Sequence, residues 1–203
     1  MSDLLGKSTV KRRKAAIALR IKADVTKAEK KELYEALVLE ENTNNWQTKL
    51  ELLKSVGVLN VREASKYIYD TYIEYGDDRD IVVMASATAY VRLTRKNNKD
   101  LSVALALINK NNYSITEGVL EAIGYDKMSS SIETQNEIIE KCFDFGKDRG
   151  DGYTDPRYGL AAACAGWKSS KVPLFLNECL NSGDAPLEYV AKNSLKGKYV
   201  KLR

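Results

Sequence analysis

The sequence predicts an all-α fold, a right-handed α-α superhelix of about five helix pairs. Three observations carry that expectation. The dominant hydrophobic period is helical, with no stretch of apolar and polar residues alternating as a strand requires. Helix start signals recur along the chain. A helix-length pattern also repeats with a nearly constant register.

The start signals place the elements. Ser/Thr-x-x-Glu boxes fall at Thr26 with Glu29, Ser114 with Glu117 and Ser130 with Glu133. Asp155-Pro156 pairs an acceptor at the cap with a residue lacking an N–H at the first helical position. With the apolar periodicity they predict helices at 8–23, 27–40, 45–56, 61–75, 79–95, 100–109, 115–124, 132–145, 156–167, 171–181 and 186–195.

Four of these segments align without gaps: Trp46–Gly57, Asp80–Val91, Tyr113–Gly124 and Asp155–Gly166. Leu53, Ala87, Leu120 and Ala162 share one position, and Gly57, Val91, Gly124 and Gly166 close the segments. A weaker fifth copy starts at Asp184 and brings Ala191 to the shared position. The closing glycines are expected to supply left-handed caps, after which the chain turns into the second helix of each pair. One pair cannot bury its own apolar face, whereas a stack of pairs shares a continuous core.

Asp155-Pro-Arg-Tyr-Gly-Leu-Ala-Ala162-Ala-Cys-Ala165-Gly-Trp with Val172-Pro-Leu-Phe-Leu176, and Leu53-Lys-Ser-Val-Gly57-Val-Leu-Asn-Val-Arg-Glu-Ala64, resemble HEAT repeats of the short bacterial type. The resemblance covers about residues 44–195. It implies a helical solenoid and almost nothing about activity. The third unit departs from it by inserting Asp126–Ser131 between its helices. The expected organisation is a basic N-terminal helix or arm (1–24), the solenoid (25–195) and a basic C-terminal tail (196–203).

Composition excludes several chemistries. The 203 residues include no histidine, which removes Ser-His-Asp and Cys-His catalysis and imidazole metal sites. Three cysteines, Cys142, Cys164 and Cys179, form no CxxC pair and read as reduced packing residues. Gly6-Lys7-Ser8-Thr9 resembles the end of a phosphate-binding loop, but Met1 stands where that motif needs its first glycine. No cofactor is expected. The apolar run from Ile81 to Val91 is too short to span a bilayer, and no secretory signal is read, so the expected location is the cytoplasm, or a virion if the gene belongs to a phage.

Charge is unevenly spread. Residues 1–30 carry nine Lys/Arg against three Asp/Glu, and residues 190–203 carry five against none, which leaves the body between them net acidic. Lys11, Arg12, Arg13 and Lys14, with Lys196, Lys198, Lys201 and Arg203, are therefore candidate partner-binding arms. On the first helix Val10, Ile17 and Ile21 line one narrow apolar stripe.

The helix around Ala64–Tyr75 has more apolar surface than one face needs. Ile68, Tyr72 and Tyr75 make one stripe, Tyr69 and Ile73 a second, and Tyr67 points elsewhere. Tyr67, Tyr69, Tyr72, Ile73 and Tyr75 are the expected subunit interface. The charged loop Gly146–Asp155 is expected to be a mobile or partner-contacting excursion.

The functional expectation is a non-enzymatic structural or adaptor scaffold that assembles with itself or with other proteins, a ring or connector of a phage virion being its most specific form. Two alternatives stand beside it. One is a DNA glycosylase similar to the HEAT-like enzymes, with Trp46, Trp167 and Asp155 as the residues to test. The other is a non-catalytic nucleic-acid-binding module acting through the basic termini. Against the first, both tryptophans are expected to be packing residues.

Overall fold

The computed structural model describes residues 3–145 and 155–200, and among them every regular element is helical. The elements are α1 (Thr9–Arg20), α2 (Lys27–Glu40) and α3 (Trp46–Val58), followed by a 3-10 turn (Arg62–Ala64), α4 (Ser65–Ile68) and a π-helical turn (Tyr69–Ile73). Then come α5 (Ile81–Thr94), α6 (Ser102–Ile108), α7 (Tyr113–Tyr125), α8 (Ile132–Cys142), α9 (Arg157–Ala163) with a 3-10 turn (Cys164–Gly166), α10 (Val172–Leu180) and α11 (Ala185–Ser194). No described helix is long and apolar enough to cross a membrane.

The chain divides into two compact units, Met1–Thr94 and Arg95–Arg203. The first unit includes α1. In that unit α3 lies between α1 and α5, with α2 packed on α3 and α4 on α5. Leu33, Leu37, Leu52, Leu53, Val56 and Ile68 fill its core. In the second unit α9 lies between α7 and α11, with α6 on α7 and α10 on α11. Its core holds Ile115, Leu120, Ile123, Met128, Leu160 and Phe175. The five repeat copies read from sequence are α3, α5, α7, α9 and α11, the helices that line up side by side within each unit.

Local chemistry sets the helix starts. Thr26 takes the Glu29 N–H and Glu29 returns its carboxylate to the Thr26 N–H at 2.9 Å, a complete capping box. Hydrogen bonds from Lys22 and Thr26 hold that carboxylate down at about 2. The other two expected boxes are not formed. Asn112 caps α7 through the Ile115 N–H at 2.9 Å, and Ser131, one residue beyond Ser130, caps α8. In each case a neighbouring short acceptor outcompetes the predicted one. Asp155 accepts the Arg157 N–H at 3.0 Å, but α9 begins only at Arg157, so Pro156 rather than Asp155 holds the cap position and no side chain caps it.

The glycines act differently from their expected role. None of Gly57, Gly124 and Gly166 has a positive φ. Gly57 and Gly124 sit inside α3 and α7, and the left-handed residue comes three positions later, at Asn60 (φ 52°) and Lys127 (φ 49°). Both turns then close alike, Val61 N–H onto Val56 O at 3.1 Å and Met128 N–H onto Ile123 O at 2.9 Å, each delivering a buried apolar side chain. Glycine instead permits close approach. A Cβ on Gly57 would sit 3.0 Å from Ala89 Cα on α5, and one on Gly159 would overlap the Leu120 carbonyl on α7.

Candidate interaction surfaces

Of the basic residues expected to form an N-terminal arm, Arg12 belongs to the core. It is 6% exposed and its Nε donates to Glu40 Oε2 at 2.7 Å, while Nη1 donates to the Gly6 carbonyl at 2.5 Å. The Thr43 hydroxyl donates to the other Glu40 oxygen. Arg12 is therefore corrected from partner-binding to structural. Arg13 is half-buried and donates to Gln47 Oε1 at 3.2 Å, whereas Lys11 and Lys14 are exposed.

This pairing sets the inner face of α1. Its buried face is Arg12, Ala16 and Leu19, so the apolar stripe Val10, Ile17 and Ile21 points outward, with Ile21 81% exposed. Helical periodicity finds the stripe but not the direction it faces, because a buried arginine carries no apolar signal.

The interface expected on the tyrosine-rich helix is redistributed by the π-helical turn, which takes one extra residue and brings Ile68, Tyr72 and Ile73 inward together. Tyr72 and Ile73 are buried within the chain's own first unit and are corrected from interface to core. Tyr67 lies edge-on between Tyr34 and Tyr72, and Tyr69 packs on Tyr90. Of the five, Tyr75 alone is open, at 81% exposure.

Around Tyr75 lies a groove of about 350 Å³ that the sequence did not reveal as a site. Trp46, at the first position of α3, is half exposed on the same groove, contrary to its expected packing role. Glu41, Asp77 and Asp80 line it against the single lysine Lys49. Tyr72 donates its hydroxyl to Glu41, and Lys49 Nζ stands 3.6 Å from the other Glu41 oxygen. Burial, reinforced by Glu41, pushes the Tyr72 phenol well up. The acidic stretches Glu40-Glu41 and Asp77-Asp78 flanking two aromatics were the available signal.

A second concavity, about 870 Å³, opens between the start of α2 and the 3-10 turn at Arg62. Lys27, Lys30, Lys31 and Arg62 ring it, with Val25 and Tyr34 supplying an apolar part and Glu63 the one carboxylate.

In the second unit Lys196 and Lys198 are exposed, while Lys201 and Arg203 lie outside the described residues, as do residues 146–154 of the glycine-rich loop. Tyr199 packs against Gly166, and Lys127 Nζ stands 4.7 Å from the Tyr199 ring centre. Trp167 is buried and donates to Met128 O at 2.8 Å. Asp155 is buried against Arg157, which donates from Nε at 3.0 Å and Nη2 at 2.7 Å. Neither Trp167 nor Asp155 presents a stacking face or a carboxylate to a ligand.

All three cysteines are buried and free. Burial pushes the Cys142 and Cys179 thiols up to about 12, so neither is a nucleophile near neutral pH. Glu117 on α7 is raised to about 7 by burial, then by Glu121 and Asp155. Among the described residues no group of three or more candidate ligands could hold a metal ion.

Comparison with known protein families, with characterised proteins and with solved structures finds no match to this chain.

Proposed function

We propose that the protein is a non-enzymatic scaffold, a HEAT-like α-α solenoid of about five helix pairs that assembles with copies of itself, in its most specific form as a ring or connector subunit. The repeat register supports the solenoid, since all five copies coincide with helices that pack side by side in their units. The observation that carries self-assembly is the outward stripe of α1. Val10, Ile17 and Ile21 succeed one another along a helix whose opposite face is already packed, with Lys11 and Lys14 alongside. Apolar side chains aligned in this way on an outer helix face form a contact surface in search of a partner. A second copy satisfies it.

Molar mass in solution tests this reading. The wild-type chain is expected to form a defined oligomer, and Ile17→Glu or Ile21→Glu to dissociate it without altering the helical circular dichroism. A wild-type chain that stays monomeric at high micromolar concentration rejects the proposal.

The basic concavity favours a second reading, a nucleic-acid-binding module that uses α2 rather than the chain termini. Lys27, Lys30, Lys31 and Arg62 around one hollow suit phosphates. Binding to duplex DNA would then weaken with salt, with a slope of about −0.9 per phosphate contacted. Lys27→Glu with Lys30→Glu would reduce that slope. DNA binding insensitive to these changes dismisses it.

A further inference from the structure

The groove between Trp46 and Tyr75 combines two features that the fold itself does not require. The first is open aromatic surface. Trp46 is 50% and Tyr75 81% exposed, and neither ring stacks on another ring among the described residues. Asn45 caps α3 through the Thr48 N–H, so the helix start does not depend on the indole beside it. The second is charge. Three carboxylates, Glu41, Asp77 and Asp80, line the groove against one ammonium, and Asp80 additionally caps α5 through the Val82 N–H at 2.6 Å. Tyr72 orients Glu41 from the floor.

Aromatic faces beside carboxylates recognise alkylammonium and guanidinium groups, because the ring face and the anion both attract a cation while the ring also covers its apolar stem. The groove is therefore built for a lysine or arginine side chain, and the chain contains a segment of matching chemistry. Residues 196–203 carry Lys196, Lys198, Lys201 and Arg203 with no acid, and Lys198–Val200 lie outside any helix. Tyr199, beside Gly166, holds the middle of that segment to its own unit, with Lys196 and Lys198 before it exposed.

We infer that the Trp46–Tyr75 groove is a cation-receiving site whose occupant is the lysine-rich segment 196–203 of a second copy of this chain. The inference rests on the self-assembly proposed above and gives it a direction, since groove and segment are different surfaces and join copies head to tail. Heterologous contacts of this kind close into rings or continue into filaments.

The test uses the full chain and a synthetic peptide with the sequence of residues 194–203. Titrating the peptide should quench or shift Trp46 emission, and Trp46→Ala with Tyr75→Ala should weaken peptide binding, read by anisotropy, at least tenfold. Both residues are exposed, so the variant is expected to keep the wild-type melt. In sedimentation, that groove variant and a tail variant (Lys196→Glu, Lys198→Glu, Lys201→Glu) should each associate poorly alone, yet pair when mixed, because each retains the half the other lacks. Peptide binding that is absent, or unchanged in the groove variant, overturns the inference whatever the assembly state. An oligomer unaffected by either variant overturns it while leaving the scaffold reading intact. A monomeric wild-type chain removes the scaffold reading itself.

Discussion

Arg12 and Glu40 face each other out of water, Nη2 to Oε2 at 2.6 Å, with 7% and 0% of their side chains exposed. Their pairing fixes which side of α1 is core. A buried carboxylate left without its cation is expensive, so Arg12→Ala should destabilise the chain by about 3–5 kcal/mol. Lys11→Ala and Lys14→Ala, at exposed positions of the same helix, should stay within about 0.5 kcal/mol. Urea midpoints of the three variants check the contrast. Replacing both partners together, as Arg12→Met with Glu40→Leu, should recover most of the loss, because no charge is then stranded.

Close helix approach predicts a ranking among glycines. Gly159→Ala sets a Cβ against the Leu120 carbonyl and 2.8 Å from Glu121 N, both backbone groups that cannot swing aside. It should cost about 3 kcal/mol, at the upper end for overpacking. Gly57→Ala meets Ala89 at 3.0–3.2 Å and should cost less, about 1 kcal/mol. Equal denaturation midpoints for the two variants would contradict this packing.

Glu117 predicts a pH dependence. Its carboxyl is raised to about 7 in the folded chain, by burial first and then by Glu121 and Asp155. The unfolded value is about 4.3. Below that value the group is neutral in both states and costs nothing. As pH rises toward 7 the unfolded chain releases the proton while the folded chain retains it, so stability falls across this window and levels off above it. Glu117→Gln should therefore recover about 1–3 kcal/mol at pH 8 and almost nothing at pH 4. Chemical denaturation at the two pH values gives the answer.

The paired left-handed turns offer a stabilising change. Lys127 holds φ 49° with a full side chain, whereas Asn60 at 52° is a residue that tolerates this conformation. Lys127→Gly should raise stability by up to about 1 kcal/mol, and Asn60→Gly should be nearly neutral. Thermal melts distinguish them.

These residues also show how far the sequence could be read. Helix positions were legible because caps and apolar periodicity are local signals: the Thr26–Glu29 box forms, and each of the five aligned segments falls on a helix. Three features were not. The outward direction of the α1 stripe depends on a partner 28 residues away, since Glu40 supplies the counter-charge that makes a buried Arg12 tolerable. The split of the tyrosine helix depends on a π-helical turn that breaks the assumed period between Tyr69 and Ile73. The Trp46–Tyr75 groove joins residues from three separate elements, none of which carries a motif. The closing glycines were found at the right register but given the wrong task, because a glycine in sequence does not say whether it serves a turn or a neighbour.

The wide turn at Tyr69–Ile73 makes chain length a determinant in its own right. Loss of any single residue there would let the segment tighten to regular α geometry and swing the residues beyond it by about 100° about its axis. The direction of Tyr75, and with it the shape of the hollow it borders, is thus encoded by a count rather than by any side chain. A one-residue deletion would erase it while leaving every remaining letter of the sequence unchanged.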